Sequence, residues 1–171
     1  MTALQSSPRI TPFLWFDSNA EEAVDFYLAI FKNSRRLDAL RSPTDTTIPK
    51  GKVLTISFEL DGQRFTALNG GPVFKFTEAV SFFVRCDSQE EVDYYWSKLL
   101  AGGTESQCGW LKDKFGLSWQ IVPARLSELI KHPKAMQAMM KMKKLEIAEL
   151  ERDGEDFVPG HGGVRRAAEC V

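Results

Sequence analysis

The chain has 171 residues, a formal net charge of -1 and an isoelectric point near 6.2. Hydrophobic residues make up 43% of it and charged residues 26%, which is the balance of a globular domain that buries a core. A nucleic-acid-binding surface usually brings a basic excess, so this composition disfavours a nucleic-acid partner.

The first half of the chain alternates between strand and helix patterns. Asp17, Ser18 and Asn19 are good N-cap residues, and Glu21 and Glu22 follow in the first turn, which predicts the start of a helix there. In chain order, the patterns predict a strand over 10–16, a helix with its apolar stripe over 20–31, a strand over 34–41, a loop over 42–51, a strand over 53–60, a two-residue hairpin turn at 61–62 and a strand over 63–68.

The second half repeats this order. A strand over 79–85 precedes Asp87 and Ser88, which are placed to cap a helix that ends at Gly102 and Gly103. A short strand over 104–107 and a hairpin over 109–123 follow. A strand, a capped helix and three antiparallel strands therefore occur twice, at a spacing of roughly 70 residues, which indicates a structural duplication.

Beyond Pro123 the pattern becomes helical. It predicts a short helix that ends near 132–133 and a second helix that begins near Lys134 and reaches Leu150. Four of the five methionines lie in this second helix and form an adaptable apolar surface, which docks either on the body of the protein or on a second subunit. Residues 153–171 are predicted to be a flexible tail.

The closing hairpin carries the main functional question. Gly116 supplies the positive φ of its turn, and Leu117, Trp119 and Ile121 point to one face while Gln120 points to the other. Burying an unpaired amide is costly, so Gln120 is expected to have a partner, which is a side chain, a metal ion or a ligand. The charged run Lys112, Asp113 and Lys114 is interpreted as a solvated turn.

Six segments of the sequence match the pattern of one known family. They are PFLWFDSNAEEAVDFY at 12–27, FKNS at 31–34, FTALNGGP at 65–72, FKF at 74–76, CGWLKDKFGLSWQ at 108–120 and MQAMMKMKKL at 136–145. These segments resemble the PhnB-like branch of the vicinal oxygen chelate superfamily, the glyoxalase and bleomycin-resistance fold. The resemblance implies an α+β fold of two tandem βαβββ modules with a C-terminal helical extension, a homodimer and a concave pocket. It predicts one domain over 9–152, with modules at 9–72 and 73–123, helices at 124–152, and flexible ends at 1–8 and 153–171.

The residues depart from the superfamily's metal site. Its metal-using members hold a divalent ion with His, Glu or Gln from four strands, and an ion needs several such donors. The corresponding positions here carry Thr11 or Phe13, Asn69, Ala79 or Ser81, and Gln120. We therefore predict no metal and no cofactor.

Relatives in this branch are often labelled 3-demethylubiquinone-9 3-methyltransferase-like, a ubiquinone-pathway activity. Enzymes that bind S-adenosylmethionine usually do so at a glycine-rich turn that opens a helix. Gly70 and Gly71 follow a strand but precede no predicted helix, so these residues give the label no support.

Large aromatic and amide side chains point instead to a pocket for a small organic ligand. The alternatives are core packing for each aromatic ring and a buried amide satisfied by the backbone for Asn69 and Gln120. No catalytic residue is assigned, and whether the protein is an enzyme stays open; a metal-dependent isomerase, lyase or dioxygenase is the alternative function. The predicted ligand-binding residues are Trp15, Asn69, Trp110, Trp119 and Gln120.

The remaining predictions concern the cysteines and the location of the protein. Cys86 and Cys108 have no histidine beside them in the sequence and are interpreted as inert thiols. With Cys170 they fit neither a disulfide framework nor a zinc site. No apolar run is long enough for a bilayer, and residues 1–8 do not resemble a signal peptide, so we expect a cytoplasmic protein with no membrane partner.

Overall fold

A computed structural model describes residues 8–155 of the chain. The chain divides into two compact units, of which the first ends at Phe76 and the second begins at Thr77. Each unit contains one four-stranded mixed sheet and a long helix, and the second also carries the C-terminal helices. The predicted fold of two βαβββ modules with a helical extension is therefore confirmed.

The ends of the predicted domain fall partly outside this description. The predicted flexible segments at 1–7 and 156–171 lie outside the described residues. Residues 153–155, predicted to belong to the tail, continue the last helix instead. Within residues 8–155, no helix combines the length and the apolar character that a bilayer span requires.

The first unit has its strands in the order β1-β4-β3-β2. Strand β1 runs parallel to β4, and the other neighbours are antiparallel. The turn at Asp61 and Gly62, with φ of 45° and 82°, joins β3 to β4 as predicted. Its elements are β1 (Phe13–Phe16), α1 (Ala20–Ile30), β2 (Ser34–Arg41), β3 (Val53–Leu60) and β4 (Gln63–Asn69).

Strand alternation gives the first sheet one covered face and one partly exposed face. Ile56, Phe58 and Leu60 are buried on the face that α1 covers, and Tyr27 of α1 stacks on Phe58 with 6.4 Å between ring centroids. Trp15 belongs to the other face, because β1 alternates and Leu14 and Phe16 are buried.

The second unit repeats the arrangement, with strand order β5-β8-β7-β6 and β5 parallel to β8. Ser88 caps α2 by accepting a hydrogen bond from the Glu91 amide at 3.3 Å, as predicted. Its elements are β5 (Ser81–Cys86), α2 (Gln89–Leu100), β6 (Thr104–Glu105), β7 (Trp110–Lys112), β8 (Ser118–Pro123), α3 (Leu126–Leu129), α4 (Pro133–Met139) and α5 (Ile147–Glu155).

One prediction for the C-terminal region is wrong. The single helix predicted from Lys134 to Leu150 is broken between α4 and α5. The carbonyls of Met142 and Lys143 accept hydrogen bonds from the amides of Cys108 and Gly109, which lie in another segment. A helix through this stretch would use those carbonyls for its own hydrogen bonds.

Gln89 fixes the start of α5 from the first turn of α2. Its amide nitrogen donates to the Leu145 carbonyl at 3.2 Å, and its carbonyl oxygen accepts from the Ile147 amide at 2.8 Å. The apolar methionine surface packs within this unit, onto the end of β8. Its buried cluster comprises Val122, Leu129, Met139, Met142, Leu145 and Leu150.

Candidate functional site

One face of the second sheet gathers polar and aromatic side chains opposite the face that α2 covers. Register partners on neighbouring strands present their side chains to the same face. Gln120 of β8 is the partner of Trp110 on β7, and Ser118 is the partner of Lys112 on β7 and of Ser81 on β5. We call Ser81, Trp110, Lys112, Ser118 and Gln120 the polar face.

Gln120 meets a side chain on this face. Its amide nitrogen donates a hydrogen bond to the Ser81 hydroxyl at 2.8 Å. Gln120 is half-buried, and its carbonyl oxygen has no partner among the described residues. Ser81 is therefore the partner that we expected for the Gln120 amide. The carbonyl oxygen of Gln120 is still available to accept a hydrogen bond.

Ser118 lies two residues earlier on the same strand and is only 1% exposed. Its hydroxyl has no hydrogen-bond partner among the residues that the structure describes. A buried polar group without a partner is rare in folded proteins and costs about 1–3 kcal/mol. The polar face therefore contains a donor that the described chain leaves unused.

The charge on this face is balanced. Lys112 forms an ion pair with Glu78, and the hydrogen bond from Lys112 lowers the pKa of the Glu78 carboxyl. Both side chains are substantially exposed, so the pair contributes little to stability. The effect of the ion pair is local: it gives the Lys112 ammonium group an anionic partner.

Trp119 does not share the polar face, because it lies between Ser118 and Gln120 on β8 and points the other way. Its ring is 5.6 Å from that of Phe82, and its indole nitrogen donates to the Asp113 carboxylate at 2.9 Å. Trp119 is buried, so its packing favours the core alternative over contact with a ligand.

Asp113 overturns the interpretation of 112–114 as a solvated turn. It is 3% exposed and accepts hydrogen bonds from the amides of Phe115 at 2.8 Å and Leu117 at 3.1 Å, in addition to the Trp119 indole. A carboxylate can accept several bonds at once, so Asp113 closes the turn and fixes the tryptophan. Gly116 has φ of 85°, as predicted for this turn.

Asn69 also has a local structural explanation. It is 4% exposed; its carbonyl oxygen accepts from the Ala20 amide at 2.8 Å, and its amide nitrogen donates to the Val53 carbonyl at 2.9 Å. Asn19 occupies the N-cap position of α1, but its side chain makes no capping hydrogen bond. The predicted local cap is therefore replaced by Asn69, which is distant in sequence.

Trp15 is held by the segment that follows β4. Its indole nitrogen donates to the Gly71 carbonyl at 2.9 Å, and Phe74 packs edge-on with 4.9 Å between the ring centroids. A Cβ atom at Gly70 would lie 2.3 Å from the indole ring, so only glycine fits there. Trp15 stays partly exposed.

The predicted ligand residues are thus distributed over both units. Trp110 and Gln120 adjoin on the polar face of the second unit, whereas Trp119 lies on its opposite face. Trp15 and Asn69 belong to the first unit, where they point to opposite faces of its sheet. Their role in ligand binding remains a prediction, and the bonds of Asn69 and Trp119 favour the structural alternatives.

The donor set does not fit the superfamily's metal site. Within residues 8–155, no three His, Cys, Asp or Glu side chains gather closely enough to hold a metal ion. The carbonyl oxygen of Asn69 is already committed to the Ala20 amide, and the polar face offers neutral hydroxyl and amide groups besides the paired Lys112. Without a carboxylate or a histidine of the described chain free to join them, these groups form a weak ligand set for a divalent ion.

A separate cavity of about 350 Å³ lies where α2 and α5 begin. Cys86 lines it and is 1% exposed. Burial, followed by the carboxylates of Glu91 and Asp87, raises the pKa of the Cys86 thiol to about 12. Because the thiolate is the nucleophilic form, this environment supports the interpretation of Cys86 as an inert thiol.

We expect Cys86 to resist alkylation in the native protein at mildly alkaline pH. In a Cys108→Ser/Cys170→Ser variant at mildly alkaline pH, iodoacetamide should label Cys86 much more slowly in the native than in the unfolded protein, and the native rate should keep rising with pH towards about 12. Mass spectrometry of the alkylated protein measures both rates. Rapid labelling of the native variant near neutral pH would contradict the assignment.

The chain is similar to a known protein family and to solved structures. A family model described as 3-demethylubiquinone-9 3-methyltransferase matches residues 8–122. The structure of a PhnB protein from Bacillus cereus, which carries the same methyltransferase description, is 34% identical, covers 68% of this chain and 100% of its own, and has a TM-score of 0.63. A comparison with curated proteins gives no match.

Two further solved structures are similar at lower identity. A protein from Pseudomonas aeruginosa is 21% identical, covers 68% of this chain and 98% of its own, and has a TM-score of 0.58, which shows a likeness of fold alone. The fosfomycin resistance protein FosX from Listeria monocytogenes is 18% identical over 72% of this chain and 98% of its own, with a TM-score of 0.47.

Proposed function

Since this chain belongs to the 3-demethylubiquinone-9 3-methyltransferase family, the PhnB-like branch of the vicinal oxygen chelate superfamily, we propose that it binds a small organic molecule at the polar face without a metal ion. The observation that carries this proposal is the pair formed by Gln120 and Ser81 beside Trp110. A half-buried amide next to an aromatic ring offers both orientation and apolar contact to a ligand.

The proposal assigns different roles to the five predicted residues. Trp110 and Gln120 contact the ligand, because they adjoin on a face that α2 does not cover and are both half-buried. Trp15 belongs to the first unit and is partly exposed, so its role in ligand binding stays a separate prediction. Asn69 and Trp119 act indirectly, by holding α1 and the closing hairpin.

A metal-dependent isomerase, lyase or dioxygenase is the second candidate, and it is disfavoured by the neutral donors of the polar face. A methyltransferase is the third, and it follows from the family's description. The segment after Gly70 and Gly71 forms no helix before β5 in the described chain, so it lacks the glycine-rich turn into a helix that S-adenosylmethionine enzymes often use. A flat calorimetric titration with S-adenosylmethionine would remove this third candidate.

We further propose a cytoplasmic homodimer. Large apolar side chains are exposed in each unit, among them Phe13 and Phe74 in the first and Phe83 in the second. Exposed apolar groups of this size are typical of surfaces that associate. Cys86 and Cys108 form no disulfide within residues 8–155, in keeping with a reducing compartment.

Native mass spectrometry of the untagged protein, before and after EDTA treatment, tests the proposal. We expect a dimer mass and an organic adduct that EDTA does not remove. Gln120→Ala should lose the adduct, whereas the matched change Gln63→Ala, at an exposed amide in the first unit, should retain it. An adduct that disappears together with a stoichiometric metal ion would favour the second candidate instead.

A further inference from the structure

We propose that Ser118 determines ligand specificity, by donating a hydrogen bond from its buried hydroxyl to the carbonyl oxygen of a neutral ligand. This inference rests on the proposed function, because it places the ligand at the polar face. It adds the chemical class of the ligand, an uncharged carbonyl compound with an adjacent N–H or O–H group.

The first observation concerns the buried hydroxyl of Ser118. Ser118 is buried on β8, yet its Oγ has no partner among the described residues. Its register partners, Ser81 and Lys112, present their side chains to the same face from the strands on either side. A ligand group that accepts from Ser118 would remove the cost of this unpaired donor, which no neighbouring side chain in the described chain removes.

The neighbouring groups define what else the ligand carries. The Ser81 hydroxyl accepts from Gln120, so its own proton is free to donate towards the same oxygen as Ser118. The Gln120 carbonyl oxygen accepts no hydrogen bond from residues 8–155, so a ligand can supply the donor. Two hydroxyl donors beside one acceptor complement a carbonyl oxygen next to an N–H or O–H group, as in a primary amide.

The charge of the face determines the class. The cation nearest to Ser118 in the sheet register, Lys112, is already paired with Glu78. A carboxylate ligand would have to compete with Glu78 for Lys112, or lie against neutral donors only. A neutral ligand avoids this competition, so we expect the site to prefer an amide to the carboxylate of the same shape.

Benzamide and benzoate are suitable probes, because they share one ring and differ in charge. In the wild-type protein, a titration followed by two-dimensional nitrogen-proton NMR should give shifts at the Trp110 indole and the Gln120 side-chain amide, with benzamide binding more tightly. Ser118→Ala should weaken benzamide binding about fivefold to tenfold, the loss of one hydrogen bond. The matched control Ser97→Ala, whose hydroxyl lies on α2 and donates to the Tyr94 carbonyl, should leave it unchanged.

Stability of the ligand-free variants supplies a second readout. Removing an unpaired hydroxyl is neutral or stabilising, so the urea midpoint of Ser118→Ala should equal or exceed that of the wild type. A lower midpoint would show that the hydroxyl is satisfied within the protein or by water, and would overturn the inference.

The outcomes separate the inference from the function on which it rests. Equal benzamide affinity in the wild type and Ser118→Ala would overturn the role of Ser118 and leave ligand binding intact. Tighter binding of benzoate than benzamide would overturn the neutral class. Absence of any shift at Trp110 and Gln120 with either probe would contradict the proposed function itself, and this inference with it.

Discussion

Asp113→Ala is expected to lower the free energy of unfolding by about 4 kcal/mol, the largest effect that we predict for a single side chain. The substitution leaves three donors without their acceptor: the amides of Phe115 and Leu117 and the indole of Trp119. Leu117 and Trp119 are buried, so water cannot easily replace the carboxylate. Urea denaturation followed by circular dichroism measures the loss.

Asp113→Asn tests which of the three bonds matters most. The amide keeps one oxygen for the Phe115 and Leu117 amides, but it places an N–H group against the Trp119 indole N–H. We expect an intermediate loss of about 2 kcal/mol. Asp93→Ala is the matched control, since this carboxylate is exposed on α2 and pairs with Lys144, and its removal should cost less than about 1 kcal/mol. Equal stability of the Asp113→Ala and Asp93→Ala variants would contradict the buried role.

Asp113 also shows what could not be predicted from the sequence alone. A run of Lys, Asp and Lys has the composition of a solvated turn, and the sequence alone favours that interpretation. Part of the correct answer was local, because an aspartate often accepts from the amide two residues later, as Asp113 does from Phe115. The bond to the Trp119 indole depends on the pairing of β7 with β8, which only the folded hairpin defines.

Alternation within strands, by contrast, was predictable from the sequence. The separation of Trp119 from Gln120 onto opposite faces of β8 follows from a period of two, and the structure agrees. The same rule means that Trp119 and Gln120 cannot both lie on one face of the second sheet. The rule also puts Ser118 on the Gln120 face, but it cannot show that the Ser118 hydroxyl lacks a partner among the residues that the structure describes.

Pairings between distant segments were not predictable, because they depend on register. Gln120 meets Ser81 through the parallel pairing of β5 and β8, which are 39 residues apart at this contact. The break between α4 and α5 has the same origin, since the carbonyls of Met142 and Lys143 are used by another segment. Helical periodicity continues through this stretch and gives no sign of that competition.

Asn69→Ala is the second large effect that we expect, a loss of about 3 kcal/mol in the free energy of unfolding. The change removes the acceptor for the Ala20 amide at the start of α1, and it leaves the buried Val53 carbonyl without its donor. Because Asn19 makes no capping hydrogen bond, no local side chain compensates. Urea denaturation measures the loss, and Asn33→Ala, at an exposed asparagine just beyond α1, is the matched control.

Asn69→Asp separates the two bonds, since it keeps the acceptor for Ala20 but turns the donor to Val53 into a second acceptor. Its stability should lie between those of the wild type and Asn69→Ala. Benzamide affinity then distinguishes the structural role of Asn69 from the ligand-binding role that the sequence suggested. If Asn69 acts only as a remote cap, folded Asn69→Asp protein binds benzamide as the wild type does, whereas a direct ligand contact would weaken benzamide binding to the folded variant.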